Sequence, residues 1–161
     1  MKENVGWSKE VKLITISFTV LISAIFITMA ILSSKLLMAS ICIAEIVLII
    51  GPCLIFSPRS LHITDDSLVV NCVAYRKRIA KSDISEVKEY NLKTDALGVR
   101  TFGIGGVFGY IGHFYSCKIG RYTAFVGDSG KAFYVKLKSG KTYLLSCNNS
   151  RSFAAELAKS L

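Results

Sequence analysis

Two hydrophobic patterns divide the chain near residue 56. Before it, apolar positions run together. Leu13 to Leu32 is 20 residues without a charge, and Leu36 to Phe56 is 21 residues with one, Glu45. At about 1.5 Å per helical residue, some 20 apolar residues match a hydrocarbon core of about 30 Å. The pattern predicts two transmembrane helices, about 13–32 and 36–56. Only Ser33-Ser34-Lys35 links them, so they are expected to form an antiparallel hairpin. A cleaved signal peptide fits less well, because its apolar region usually spans about 7 to 15 residues. Here a second apolar run follows at once.

After residue 56 the period falls to two. Short strands are expected in "SLHIT", "SLVVNC", "YRKRIAKSDI" and "ISEVKEYNL", with Asp65-Asp66 turning the chain between the first two. In the fourth, Ile84, Val87 and Leu92 are apolar among charges. "FYSCKIGRYTAFVG" continues the strands, and "KAFYVKLKSGKTYLLSC" reads as a hairpin turning at Ser139-Gly140. The period then lengthens. Phe153, Leu157 and Leu161 recur every four residues, with Asn149 or Ser150 placed to cap a short amphipathic helix. About seven antiparallel strands and a closing helix in residues 57–161 make a small, partly open barrel. Residues 1–56 form the membrane unit.

Charge sets the orientation. Lys2, Lys9 and Lys12 precede the first span, Lys35 alone lies between the spans, and Arg59, Arg76, Lys77 and Arg78 follow the second. Lys and Arg collect on the cytoplasmic side, so both termini are expected there, on an inner or plasma membrane. The domain holds 16 Lys and Arg against 8 Asp and Glu, whereas the first 56 residues carry a net charge of only +1. Five cysteines without CxxC spacing read as reduced thiols.

The stretch "VRTFGIGGVFGYIGHFYSC" raises the question of phosphate binding. A dinucleotide fingerprint beginning at Gly103 meets Phe108 where glycine is required, and Gly140-Lys141-Thr142 has Val135 at the first P-loop glycine position. Both readings fail. Three others stay open: a structural loop whose rings complete the core, a loop whose Phe108 and Tyr110 rest in the membrane interface, and a ligand or protein site. Arg76-Lys77-Arg78 is the densest basic cluster, with Arg76 and Arg78 on one face of a strand and Lys77 on the other. Glu45 falls near mid-bilayer, where a carboxylate is costly. Thr15, Thr19 and Ser23 share a face of the first helix, and Ser23 or Thr19 is expected to hydrogen-bond Glu45. Gly51-Pro52 is expected to kink or end the second helix. No G-x-S-x-G appears, and His62 and His113 lack metal-ligand spacing. No catalytic residue, metal or cofactor is expected, and the chain reads as a non-enzyme.

Arg100-Thr101-Phe102-Gly103, then Gly106-x-Phe108-Gly109-Tyr110-x-Gly112-x-Phe114, with the "SGKTYLLSC" hairpin and the Phe153 helix, resembles bacterial PH-like (pleckstrin-homology-type) domain proteins. Over nearly all of residues 57–161 the resemblance implies a PH-like barrel, which in this family often follows membrane helices. It also implies a lipid-phosphate site on the early strands, at Arg76, Arg78 and Lys81 with Arg100 and Arg121. Diffuse attraction to an anionic leaflet explains the same charges without a pocket. The expected function is a membrane-anchored binding or scaffold module for another protein or anionic lipid headgroups. Alternatives are an accessory subunit of a membrane transporter or membrane enzyme, with Glu45 functional, or a small-molecule sensor. Nucleic acid fits poorly, since no recognition helix or RNP-like motif is present.

Overall fold

The computed structural model describes residues 1–33, 36–91 and 98–161. Residues 34–35 and 92–97 and the Glu45 side chain lie outside the described part, and with them the expected bridge from Glu45 and the place of Leu92. The chain opens with a short strand, β1 (Lys2–Asn4), and then helices α1 (Lys9–Ser33) and α2 (Leu36–Ile55). Nine strands follow: β2 (Pro58–Ile63), β3 (Ser67–Cys72), β4 (Arg76–Ala80), β5 (Ile84–Tyr90), β6 (Val99–Gly105), β7 (Tyr110–Ser116), β8 (Gly120–Val126), β9 (Ala132–Leu137) and β10 (Thr142–Ser146). Helix α3 (Ser150–Lys159) ends the fold.

Strands β1-β2-β3-β4 form one antiparallel sheet in that order. The second sheet has the order β5-β9-β10-β8-β7-β6, and its only parallel pair among the described residues is β8 with β10. Alternation sets what each face buries. In the first sheet Leu61, Leu68 and Val70 are fully buried, each worth about 1.5–3 kcal/mol in transfer energy. They share one core with Phe133, Val135 and Leu145 of the second sheet. Helix α3 lays Phe153, Ala154 and Leu157 across that core, and the Phe153 ring lies 5.8 Å from that of Phe133. The opposite face of the second sheet has its own cluster around Tyr90, Phe114, Tyr122 and Leu144.

The structure corrects several expectations. The strands number ten among the described residues and lie in two separate sheets, rather than about seven in one partly open barrel. The glycine stretch is a hairpin: β6 and β7 pair from Val99–Tyr115 to Gly105–Tyr110, with a register shift between Arg100 and Phe102. Periodicity hid this because glycine contributes no apolar side chain to the alternation. The expected two-span hairpin is not established. Among the described residues one helical segment, the 21-residue Lys9–Met29, is long and apolar enough to cross a membrane. It starts earlier than expected because Ser8 Oγ accepts the Val11 N–H at 3.2 Å and caps the helix. Helix α2 continues past Pro52 to Ile55. Thr19 Oγ1 donates to the Thr15 carbonyl one turn back, at 2.8 Å. Asn149 occupies the N-cap of α3 without a side-chain cap bond and donates to Glu3 instead, while Leu161 lies beyond the helix and is exposed.

Candidate functional site

The N-terminal eight residues are built into the β domain. Strand β1 pairs with β2, the N-terminal ammonium donates to the Ile63 carbonyl, and the Ser8 N–H donates to the Gly127 carbonyl. Helix α1 therefore leaves from the first sheet, and α2 returns the chain to β2 beside it.

The β6–β7 turn fastens onto the base of α1. The Phe108 N–H donates to Thr15 Oγ1 at 2.8 Å, and Ser57 Oγ donates to the Phe108 carbonyl at 3.2 Å. Both bonds are buried. The Phe108 ring is 8 % exposed and meets Trp7 edge-on at 5.7 Å, in a backbone conformation with φ +56°. Such a φ is uncommon for an aromatic residue and is held here by contacts on both sides of the peptide. Two glycines make the hairpin possible. Gly103 and Gly112 face each other at φ +125° and +124°, and a Cβ on Gly112 would lie 2.3 Å from the Phe102 carbonyl oxygen. The stretch is thus a structural clasp. Phe108 is a packing residue, and Tyr110 is half-buried, with its hydroxyl pKa raised first by burial and then by Glu10.

A groove of about 640 Å³ opens where the two sheets fail to join. Its walls are the edge strands: Tyr75 and Lys77 on the β4 side, Phe102 and Ile104 on β6. Ile111, Phe125 and Tyr143 line it within, and Pro52 and Phe56 bring the end of α2 to it. Lys77 Nζ lies 5.8 Å from the centre of the Tyr143 ring, a cation–π contact. Phe102 is 77 % exposed, an aromatic ring spent on solvent. Strand β1 is only three residues long and α3 packs against β5, so among the described residues β4 and β6 are the long unpaired edges. An unpaired edge presents a row of backbone donors and acceptors to any extended chain.

The basic candidates do not form one site. Arg76 and Arg78 share the outer face of the first sheet with His62 and Asn71, around a polar cleft of about 380 Å³. Pairing places Lys2, His62, Val69 and Arg78 in one row and Asn4, Ser60, Asn71 and Arg76 in the next. Lys77 takes the opposite face, as alternation requires. Lys81 lies in the 3-10 turn after β4, outside this cleft. Arg100 and Arg121 belong to the second sheet and point to opposite faces: Arg100 pairs with Phe114, and Arg121 with Tyr115. The grouping of Arg100 and Arg121 with the Arg76 cluster is therefore corrected. His113 bonds Thr123 Oγ1 at 3.1 Å.

Sequence reasoning missed Tyr75, Lys77 and Phe102 as groove residues and Thr15 as the helix-side half of the clasp. The available signal was Phe102 itself, a large apolar residue that shares its strand face with Ile104, while Gly103 and Gly105 fall on the other face.

Two mainly antiparallel sheets sharing a core, with a C-terminal helix across it and a groove at the open seam, define a PH-like β module. The family model described as bacterial PH domain matches residues 59–161, and the chain belongs to that family. No curated protein and no solved structure matches the chain.

Proposed function

We propose that this is a membrane-anchored binding module that captures an extended segment of another protein in the seam between β4 and β6. The observation that carries this reading is the apolar groove flanked by two unpaired strand edges, with Phe102 exposed on its rim. Strand addition supplies backbone hydrogen bonds, and the groove selects alternate side chains. Arg76, Lys77 and Arg78 make the β4 edge cationic, and among the described residues none of them forms an ion pair with a carboxylate. The complementary segment alternates apolar with acidic residues.

Helix α1 anchors the module. Leu13, Ile16, Val20, Ile27 and Met29 are all exposed on it, an apolar surface suited to lipid. The Lys and Arg flanking the helices support a β domain on the cytoplasmic side. The role is binding rather than catalysis.

The test uses the full chain in nanodiscs and synthetic peptides of alternating apolar and acidic residues. Binding is expected to slow amide exchange in β4 and β6 together, and Phe102→Ser to weaken it at least tenfold without lowering Tm. Protection elsewhere, or none, would reject the seam.

A further inference from the structure

A second cleft, of about 550 Å³, lies where the helices meet the first sheet. We propose that it holds the headgroup of an anionic phospholipid. This rests on the reading that α1 lies in a membrane.

Three cations from separate parts of the chain converge on the cleft: Lys2 from β1, Lys12 from the first turns of α1, and Arg59 from β2. All three are exposed. No carboxylate lines the cleft among the described residues. Trp7 and Leu54 also line it, one just before α1 and the other near the end of α2. Cations beside an indole at the end of an apolar helix match the layering of a lipid: phosphate outermost, glycerol beneath, acyl chain along the helix. The guanidinium of Arg59 suits a phosphate's paired oxygens, and the lysines add point charges.

The cleft shares no lining residue with the polar cleft of Arg76 and Arg78, although pairing puts Lys2 in the same cross-strand row as Arg78. The two arginines stand on the fourth strand, while the cleft is bordered by the first two strands and both helices. It is also distinct from the seam, whose residues it does not share. The N-terminal strand completes it, since β1 brings Lys2 next to β2 and the Val5 N–H donates to the Arg59 carbonyl at 2.8 Å.

The full chain is reconstituted in phosphatidylcholine vesicles carrying a trace of spin-labelled phosphatidylglycerol or spin-labelled phosphatidylcholine. The motionally restricted fraction of each label is read, together with retention of the protein after alkaline carbonate extraction. Retained protein that prefers phosphatidylglycerol is expected, with the preference falling about fivefold for each of Lys12→Gln and Arg59→Gln. Glutamine at these exposed positions leaves the fold intact, which an unchanged Tm checks. Retained protein with equal affinity for both labels, or a preference unchanged in the Lys12→Gln/Arg59→Gln double variant, overturns the headgroup site while leaving the anchor standing. Release of wild-type protein by carbonate overturns the anchor, and the lipid site with it.

Discussion

Replacing Thr15 by valine tests the clasp between α1 and the β domain. Valine keeps the β-branched shape, so helix preference changes little. It removes the hydroxyl oxygen that accepts the buried Phe108 N–H at 2.8 Å. No water-exposed route replaces that acceptor, because the bond is buried and the Phe108 ring packs against Trp7. A buried donor left without a partner costs about 1–3 kcal/mol. With about 1.4 kcal/mol per factor of ten, exchange of the Phe108 amide is expected to quicken about 5- to 150-fold. The assay is hydrogen exchange on full-length protein in nanodiscs, read on a peptide covering the turn from Gly105 to Tyr110. Thr19→Val is the control. Among the described residues its hydroxyl donates to the Thr15 carbonyl in its own helix and not to the turn, so the turn is expected to keep its protection. Equal protection of the turn in wild type and Thr15→Val, or equal loss in both variants, would refute the clasp.

Other outcomes follow from the same geometry. Gly112→Ala combines a positive φ with a Cβ 2.3 Å from the Phe102 carbonyl oxygen, and is expected to cost at least about 3 kcal/mol in denaturant unfolding. Among the domain thiols, exposed Cys117 is expected to react with a maleimide at neutral pH, whereas buried Cys72 and Cys147 react only on unfolding, as mass spectrometry of labelled protein checks. Burial pushes the Cys72 thiol up to about 11 and, with a smaller contribution from Glu3, the Cys147 thiol up to about 12. Because the unfolded chain loses these protons from its ordinary value of 9.0, their contribution is whole below that pH and drains as pH rises toward 11 and 12. Unfolding midpoints measured from pH 8 to pH 10.5 should therefore fall, and fall less steeply in Cys72→Ala.

Strands with apolar side chains on alternate positions were legible in the sequence: β3, β5, the β9–β10 hairpin and the Phe153 face of α3. The Arg76/Arg78 against Lys77 division was equally legible, since it depends only on the pleat. The β6–β7 hairpin was not, because Gly103, Gly105 and Gly112 erase the alternation that marks a strand. Nor was β1. Three polar residues, Lys2–Asn4, have no pattern of their own and become a strand only because β2 offers an edge. The seam was hidden for a related reason. It lies between strands 24 residues apart in sequence, and closure or gap there depends on how two sheets meet rather than on any local preference. The resemblance identified the family from the glycine–aromatic motif, while the roles within that motif came from contacts: Phe108 inside the clasp, Phe102 outside on the rim.

The most direct measurement places a photo-crosslinking amino acid at position 102 in the full chain in living cells, with a second version at exposed position 159 on α3. The account predicts one discrete crosslinked protein from position 102, none from position 159, and loss of the product when an alternating apolar–acidic peptide is added. No product from position 102, or the same products from both positions, would contradict the seam as the working face.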